Sequence, residues 1–166
     1  MNTKILCLTR GGEGSYPNQD GAIAIAKERG QDMMFLYISN IEFLDHTAAP
    51  KVIDMETELD ELGEFMLIMA KERASKAGVT AQTLVRRGFF RKVLSEVIEE
   101  NNFETVILGS SSEDTGIFNE DLLHEVTCEI HQKYEIEFII LYEGEIIKTY
   151  QVETGSETEQ EDYEED

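Results

Sequence analysis

Apolar residues along this chain fall into short unbroken runs, separated by segments in which they recur every three or four positions. Thr3 to Thr9 (TKILCLT), closed by Gly11 and Gly12, is the first run and reads as a strand buried on both faces. Gln19 to Arg29 contains GAIAIAK, a small-residue helix suited to close packing on a sheet, with Ser15 or Asn18 as its cap, Pro17 near its first turn and Gly30 at its end. Asp32 to Ser39 (DMMFLYIS) is a second continuous strand, followed by an irregular stretch from Asn40 to Lys51. Asp54 to Lys76 gives the longest helix. Its stripe of Met55, Leu59, Leu62, Phe65, Met66 and Met69 is expected to face the core, and Gly78 is the natural C-cap.

Val79 to Arg86 is a third strand, its alternation weak enough to suggest a sheet edge. A helix from Phe90 to Asn101 carries Val93, Leu94, Val97 and Ile98 on one side. Thr105 to Leu108 is a fourth strand that runs into Gly109, Ser110, Ser111 and Ser112; a helix from Phe118 to Tyr134 follows, then a fifth strand from Glu137 to Tyr142. Glu143-Gly144 turns the chain into Glu145 to Val152, whose alternation predicts one more strand paired as a hairpin. Strands alternating with helices imply right-handed crossovers and an α/β fold: an open parallel five-stranded sheet with helices on both faces, plus a C-terminal β-hairpin arm over residues 143–152. Ligands of such sheets sit outside the carboxyl ends of the strands, where the strand order reverses. That places any site at Thr9 to Ser15, near Ile38, and at Gly109 to Gly116.

This arrangement and the run Thr105 to Gly116 (TVILGSSSEDTG), before a helix and a last apolar strand, resemble the universal stress protein family over roughly residues 3 to 142. Lys4 to Gly11, Phe35 to Ile38, Val85 to Gly88 and Val106 to Ser110 support it through their order and spacing. The resemblance implies a Rossmann-like sheet ordered 3-2-1-4-5, dimerisation through the fifth strand, and membership of either an ATP-binding or a non-binding group. Binders carry G-x2-G-x9-G-[ST] after the fourth strand, where glycines let backbone N–H groups approach the phosphates. Here Gly109 fits the first glycine, but Ser112 holds the second position. Ungapped spacing puts Leu122-Leu123 at the closing Gly-Ser, and alignment back from the fifth strand puts His124-Glu125 there.

Arg10, a donor-only group, stands where the family's binders place an Asp that meets adenine. The implied reading is therefore ATP binding reduced or lost and no resident cofactor. The alternative is ATP or AMP held as a signalling ligand in a modified pocket of Thr9, Arg10, Gly11, Ile38, Gly109, Ser110, Ser111 and Ser112. A further alternative closes that pocket by pairing Arg10 with Glu13, Glu113 or Asp114. For the dimer, Phe138, Ile139, Ile140, Leu141 and Tyr142 form a sheet edge that would be an exposed apolar template if unpaired. The arm after it either folds back over that edge or crosses to the partner.

Charge narrows the set of partners. The 166 residues hold 14 Lys and Arg against 35 Asp and Glu, a net charge of −21, which disfavours nucleic acid because binding there rests on cations neutralising phosphates. Residues 153–166 carry eight of the carboxylates and no basic residue, so they are expected to form a disordered acidic tail beyond a domain at 1–152. Arg86 to Lys92 is the opposite extreme, with four basic residues in seven positions; it reads as local counter-charge or, alternatively, as an anion site.

Cys7 and Cys128 form no CxxC pair and read as two ordinary thiols of a reducing compartment. No apolar run approaches the ~18 residues of a membrane span, and Met1 to Lys4 leads straight into a strand, so the expectation is a cytoplasmic protein without a membrane partner. His124, Cys128 and His131 have a spacing that invites a metal. Counted at 100° per residue from Phe118, they lie at about 220° to 280°, whereas Leu122, Leu123, Val126 and Ile130 cover about 40° to 140°; the three read as a solvated polar face and not a metal site. Nothing pairs a nucleophile with a base at recognisable spacing, so no catalytic residue is assigned and the chain is not expected to be an enzyme. Met33, Met34, Met55, Met66 and Met69 are expected to fill the core. Joined to these readings, the family resemblance implies a stress-response protein acting by protein interaction, a homodimer with an unidentified client.

Overall fold

A computed structural model describes residues 3–10, 13–39, 49–109 and 120–152. Along them strand and helix alternate: β1 (Thr3–Leu8), α1 (Tyr16–Arg29), β2 (Asp32–Ser39), α2 (Ala49–Lys76), β3 (Ala81–Arg87), α3 (Phe90–Glu100), β4 (Thr105–Gly109), α4 (Glu120–Tyr134), β5 (Glu137–Tyr142) and β6 (Glu145–Tyr150). The sheet order is β3-β2-β1-β4-β5-β6. Its first five strands are parallel, in the order expected, with β3 at one edge. The acidic segment 153–166 lies outside the described residues.

The sheet has six strands, not five. β6 pairs antiparallel with β5, from Tyr142↔Glu145 to Phe138↔Tyr150, so the arm folds back onto its own sheet. Glu143 (φ 48°) and Gly144 (φ 85°) both take positive φ, as a two-residue hairpin turn of primed type requires. The premise of an unpaired fifth strand therefore does not hold: Phe138, Ile139, Ile140 and Leu141 are buried within the chain, and the sheet ends on β6.

Two apolar layers cover the sheet. One joins Leu6, Met34, Val106 and Phe138 to the inner faces of α3 (Val93, Leu94, Val97) and α4 (Val126, Ile130). The other joins Ile5, Phe35, Ile107 and Ile139 to α1 (Ala22, Ile23, Ala26) and α2 (Leu67, Ala70, Ala74). Successive strand residues alternate between the layers, which is why their sequences read as continuous apolar runs. Gly30 ends α1 in the left-handed conformation (φ 62°), its N–H reaching back to Ala26 and Lys27.

One helix turns a different face to the core than its pattern predicts. On α2 the sheet takes Gly63, Leu67, Ala70 and Ala74, while Leu62, Phe65 and Met69 lie exposed. The physical reason is closeness: a Cβ at Gly63 would come within 2.5 Å of the Tyr37 ring on β2, so only a face of small residues fits there. The expectation that the methionines fill the core holds for Met33 and Met34, and fails for Met69.

Candidate functional site

Thr9, Ser39 and Gly109 end or follow β1, β2 and β4 at the carboxyl edge of the sheet. Register places them together. Leu8 pairs with both Leu36 and Leu108, and the Thr9 N–H donates to the Leu36 carbonyl at 3.0 Å. The strand order runs outward from β1 in one direction and from β4 in the other, so this is the switch point where such sheets take ligands. Of the residues picked out in the sequence, Thr9, Arg10, Ile38 and Gly109 are gathered at this edge, while Gly11 and Ser110, Ser111 and Ser112 lie outside the described residues.

The first turn of α1 supplies the groups that the sequence did not reveal as site residues. Gln19 is buried and donates through Nε2 to the Thr9 hydroxyl at 2.9 Å. Its Oε1, and the hydroxyl of buried Ser39, have no hydrogen-bond partner among the described residues. Asn18 sits over Gly109: a Cβ added there would stand 2.7 Å from Asn18 Nδ2. Its Oδ1 accepts from the Gly144 N–H at 2.9 Å, which ties the β5–β6 turn to α1. The fit is close on that side as well, since Gly144 O lies 2.7 Å from a Cβ built on Gly21. A Pro-Asn-Gln triplet at a helix start was the only sequence signal for these contacts, and it reads equally well as an ordinary cap.

Arg10 is exposed at the same edge, and partial desolvation lowers its pKa. Guanidinium groups titrate so high that it stays cationic. Cys7, three residues before it, is buried, which pushes its thiol up to about 12 and leaves it protonated at neutral pH.

The basic cluster is committed elsewhere. Arg86 meets Glu100 at 2.8 Å, Arg87 meets Asp60 at 2.5 Å, Arg91 lies 3.4 Å from both Glu125 and Glu129, and Lys92 lies 4.0 Å from Glu96. Each cation has an acidic neighbour in its own chain, so counter-charge is the reading that the contacts favour. The polar face of α4 is not simply solvated: β6 lies against it. Tyr150 OH and Lys148 Nζ approach His124 Nδ1 at 2.5 and 3.3 Å, and His131 Nδ1 donates to the Ile136 carbonyl at 2.7 Å. No three metal-ligating side chains stand together among the described residues. A cavity of about 250 Å³ lined by Lys71, Ser75 and Gly78 to Ala81 opens at the amino end of β3, remote from the switch point. Among the described residues no helix is long and apolar enough to cross a membrane.

An open, twice-covered α/β sheet with Thr9, Arg10 and Gly109 at the carboxyl edge of its β1/β4 switch defines a Rossmann-like domain. Comparison with known families matches residues 1–142 to the universal stress protein family, and the chain belongs to that family. Solved structures agree on the fold. Universal stress protein UspA from Lactobacillus plantarum superposes with a TM-score of 0.67 at 12% identity, over 84% of this chain and 97% of that one. A universal stress protein in complex with cAMP gives 0.59 at 20% identity, over 84% and 96%. The universal stress protein from Archaeoglobus fulgidus in complex with dAMP gives 0.51 at 11%, over 83% and 96%. No curated protein matches the sequence.

Proposed function

We propose that this chain is a non-enzymatic universal stress protein that acts in the cytoplasmic stress response by protein interaction, as a homodimer, with conventional ATP binding reduced or lost. The observation that carries the reading is Asn18. It fills the space over Gly109, the one motif glycine in place, and is held there by its bond to Gly144. Ser112 at the second motif position and Arg10 at the end of β1 support it from the sequence. For the dimer, support comes from β6: it is the last strand of the sheet, and Ile146 and Ile147 are exposed along it.

A second reading keeps a nucleotide. Gln19 Oε1 and the Ser39 hydroxyl are buried polar atoms left without a partner among the described residues, and such atoms are costly unless something bonds them. Relatives in complex with cAMP and dAMP make an adenine nucleotide the natural occupant for a modified pocket. Thermal unfolding with ATP, AMP and cAMP, each with and without Mg²⁺, separates the two. The first reading expects no shift at millimolar nucleotide. A stabilisation of about 2.7 kcal/mol at a hundredfold excess over Kd overturns it in favour of the second.

A further inference from the structure

The outer face of α2 carries a patch that the described residues leave uncovered. Phe65 and Ile68 are 61% and 60% exposed, Leu62 44% and Met69 37%. At 100° per residue these four fall within an arc of about 120°, opposite the arc of Gly63, Leu67, Ala70 and Ala74 that meets the sheet. Scattered apolar side chains on a surface need no explanation, but four within two turns of one helix form a contiguous strip. The strip runs about 10 Å along the axis, the reach of two helical turns. Leu62, Phe65 or Met66, and Met69 repeat at the spacing by which one helix seats against another.

The rim identifies the partner's charge. Glu58, Glu61, Glu64 and Glu72 are all exposed around the strip, and no cation lies against Glu58, Glu61 or Glu64 among the described residues. Lys76, toward the carboxyl end, is 3.9 Å from Glu72. An anionic membrane surface is repelled by such a rim. A second copy would bring its own glutamates against these on a chain of net charge −21, so self-pairing is the poorer match. An apolar helix face flanked by Lys and Arg complements both the strip and the rim, and the flexible side chain of Met69 adapts to the partner's shape.

We propose that this face of α2 is a docking surface for a cationic amphipathic helix of another protein chain, seated on Leu62, Phe65, Ile68 and Met69. The proposal deepens the interaction reading above and rests on it. The nucleotide titration tests that reading separately, because a pocket that holds ATP leaves α2 unchanged.

The probe is a labelled synthetic Leu/Lys peptide of about four turns, its leucines spaced at i, i+3, i+4 and i+7. Two controls accompany it: a peptide of the same composition with leucines scattered round the wheel, and a Leu/Glu peptide of the original pattern. Fluorescence anisotropy with the full chain should show binding of the patterned Leu/Lys peptide alone. Phe65→Ser/Ile68→Ser, at the two most exposed positions of the strip, should weaken that binding at least about tenfold with unchanged circular dichroism and Tm. Equal binding of the scattered peptide, or no loss in the double variant, reduces the interaction to net charge and overturns the proposal. If the double variant instead turns a wild-type dimer into a monomer by sedimentation, the occupant is a second copy, and the proposal is equally overturned.

Discussion

Burial works against the ionised form of Glu137, and two donors reverse the outcome. Its carboxylate accepts from Arg29 at 2.7 Å and from the Thr105 hydroxyl at 2.8 Å, which ties the starts of β4 and β5 to the end of α1. Desolvation alone would raise its pKa, but the hydrogen bonds from Arg29 and Thr105, with the charge of Arg29, hold it below the ordinary carboxylate value. A depressed folded-state pKa means that the stabilisation is fully present above the unfolded value and disappears as pH falls through the folded one. Glu137→Gln should therefore lower the urea midpoint at neutral pH. The gap between variant and wild type should then narrow as the pH falls below about 4, near the unfolded glutamate's pKa. A gap that stays constant with pH would show that the ion pair does not contribute.

Single residues were unevenly legible in the sequence. Thr9, Ile38 and Gly109 could be placed at the carboxyl edge of the sheet because strand ends can be counted, whereas Gln19 and Asn18 make contacts with residues 10 and 126 positions away.

At the scale of elements, α2 shows why pattern and structure part company. Two stripes of the helix repeat with nearly the same period, one of large residues and one of Gly63, Leu67, Ala70 and Ala74, and periodicity alone favours the larger. The tie is broken by β2, where the Tyr37 ring stands 2.5 Å from the place of a Cβ on Gly63. Half-buried Tyr37 is itself raised in pKa by that burial and, secondarily, by Asp60. An alanine in the middle of a helix normally gains about 1 kcal/mol over glycine. At Gly63 overpacking, typically about 1 to 3 kcal/mol, should outweigh this gain, so Gly63→Ala is expected to destabilise the protein in urea. In a Tyr37→Ala background the penalty should shrink or change sign, giving a coupling that a helix-propensity effect cannot produce. A stabilised Gly63→Ala in the wild-type background would mean that α2 does not lie this close to the sheet.

The strand order, by contrast, comes from the family resemblance, and the observed order agrees with it. By itself, βα alternation implies a parallel sheet with right-handed crossovers, and the weak alternation of β3 suggests an edge strand. The hairpin was also in the sequence, through Glu143-Gly144, but its consequence was not. Whether an arm closes its own sheet or another's depends on contacts such as that of Gly144 with Asn18, and these appear only once α1 is in place.

For the whole molecule, the question is how a chain of −21 would hold a second copy of itself. Two such chains repel at long range, and a Debye length of roughly 30 Å at 0.01 M salt shortens to about 8 Å at 0.15 M. A dimer held by apolar contacts and strand pairing along β6 should therefore tighten as salt is raised over that range, the opposite of an assembly held by attractive charges. Ile146→Lys/Ile147→Lys sharpens the test, because charge and contact now predict opposite results. Adding cations to an acidic chain lowers the mutual repulsion, so an association governed by net charge should strengthen. Lysines on an exposed edge strand discourage edge-to-edge pairing, so an interface on β6 should weaken instead. Sedimentation equilibrium of both proteins at the two salt concentrations reads the difference. A double variant that dimerises as well as the wild type moves the interface away from β6, and since β5 is covered on its own side by β6, the expected route through Phe138 to Tyr142 would then need the arm to detach.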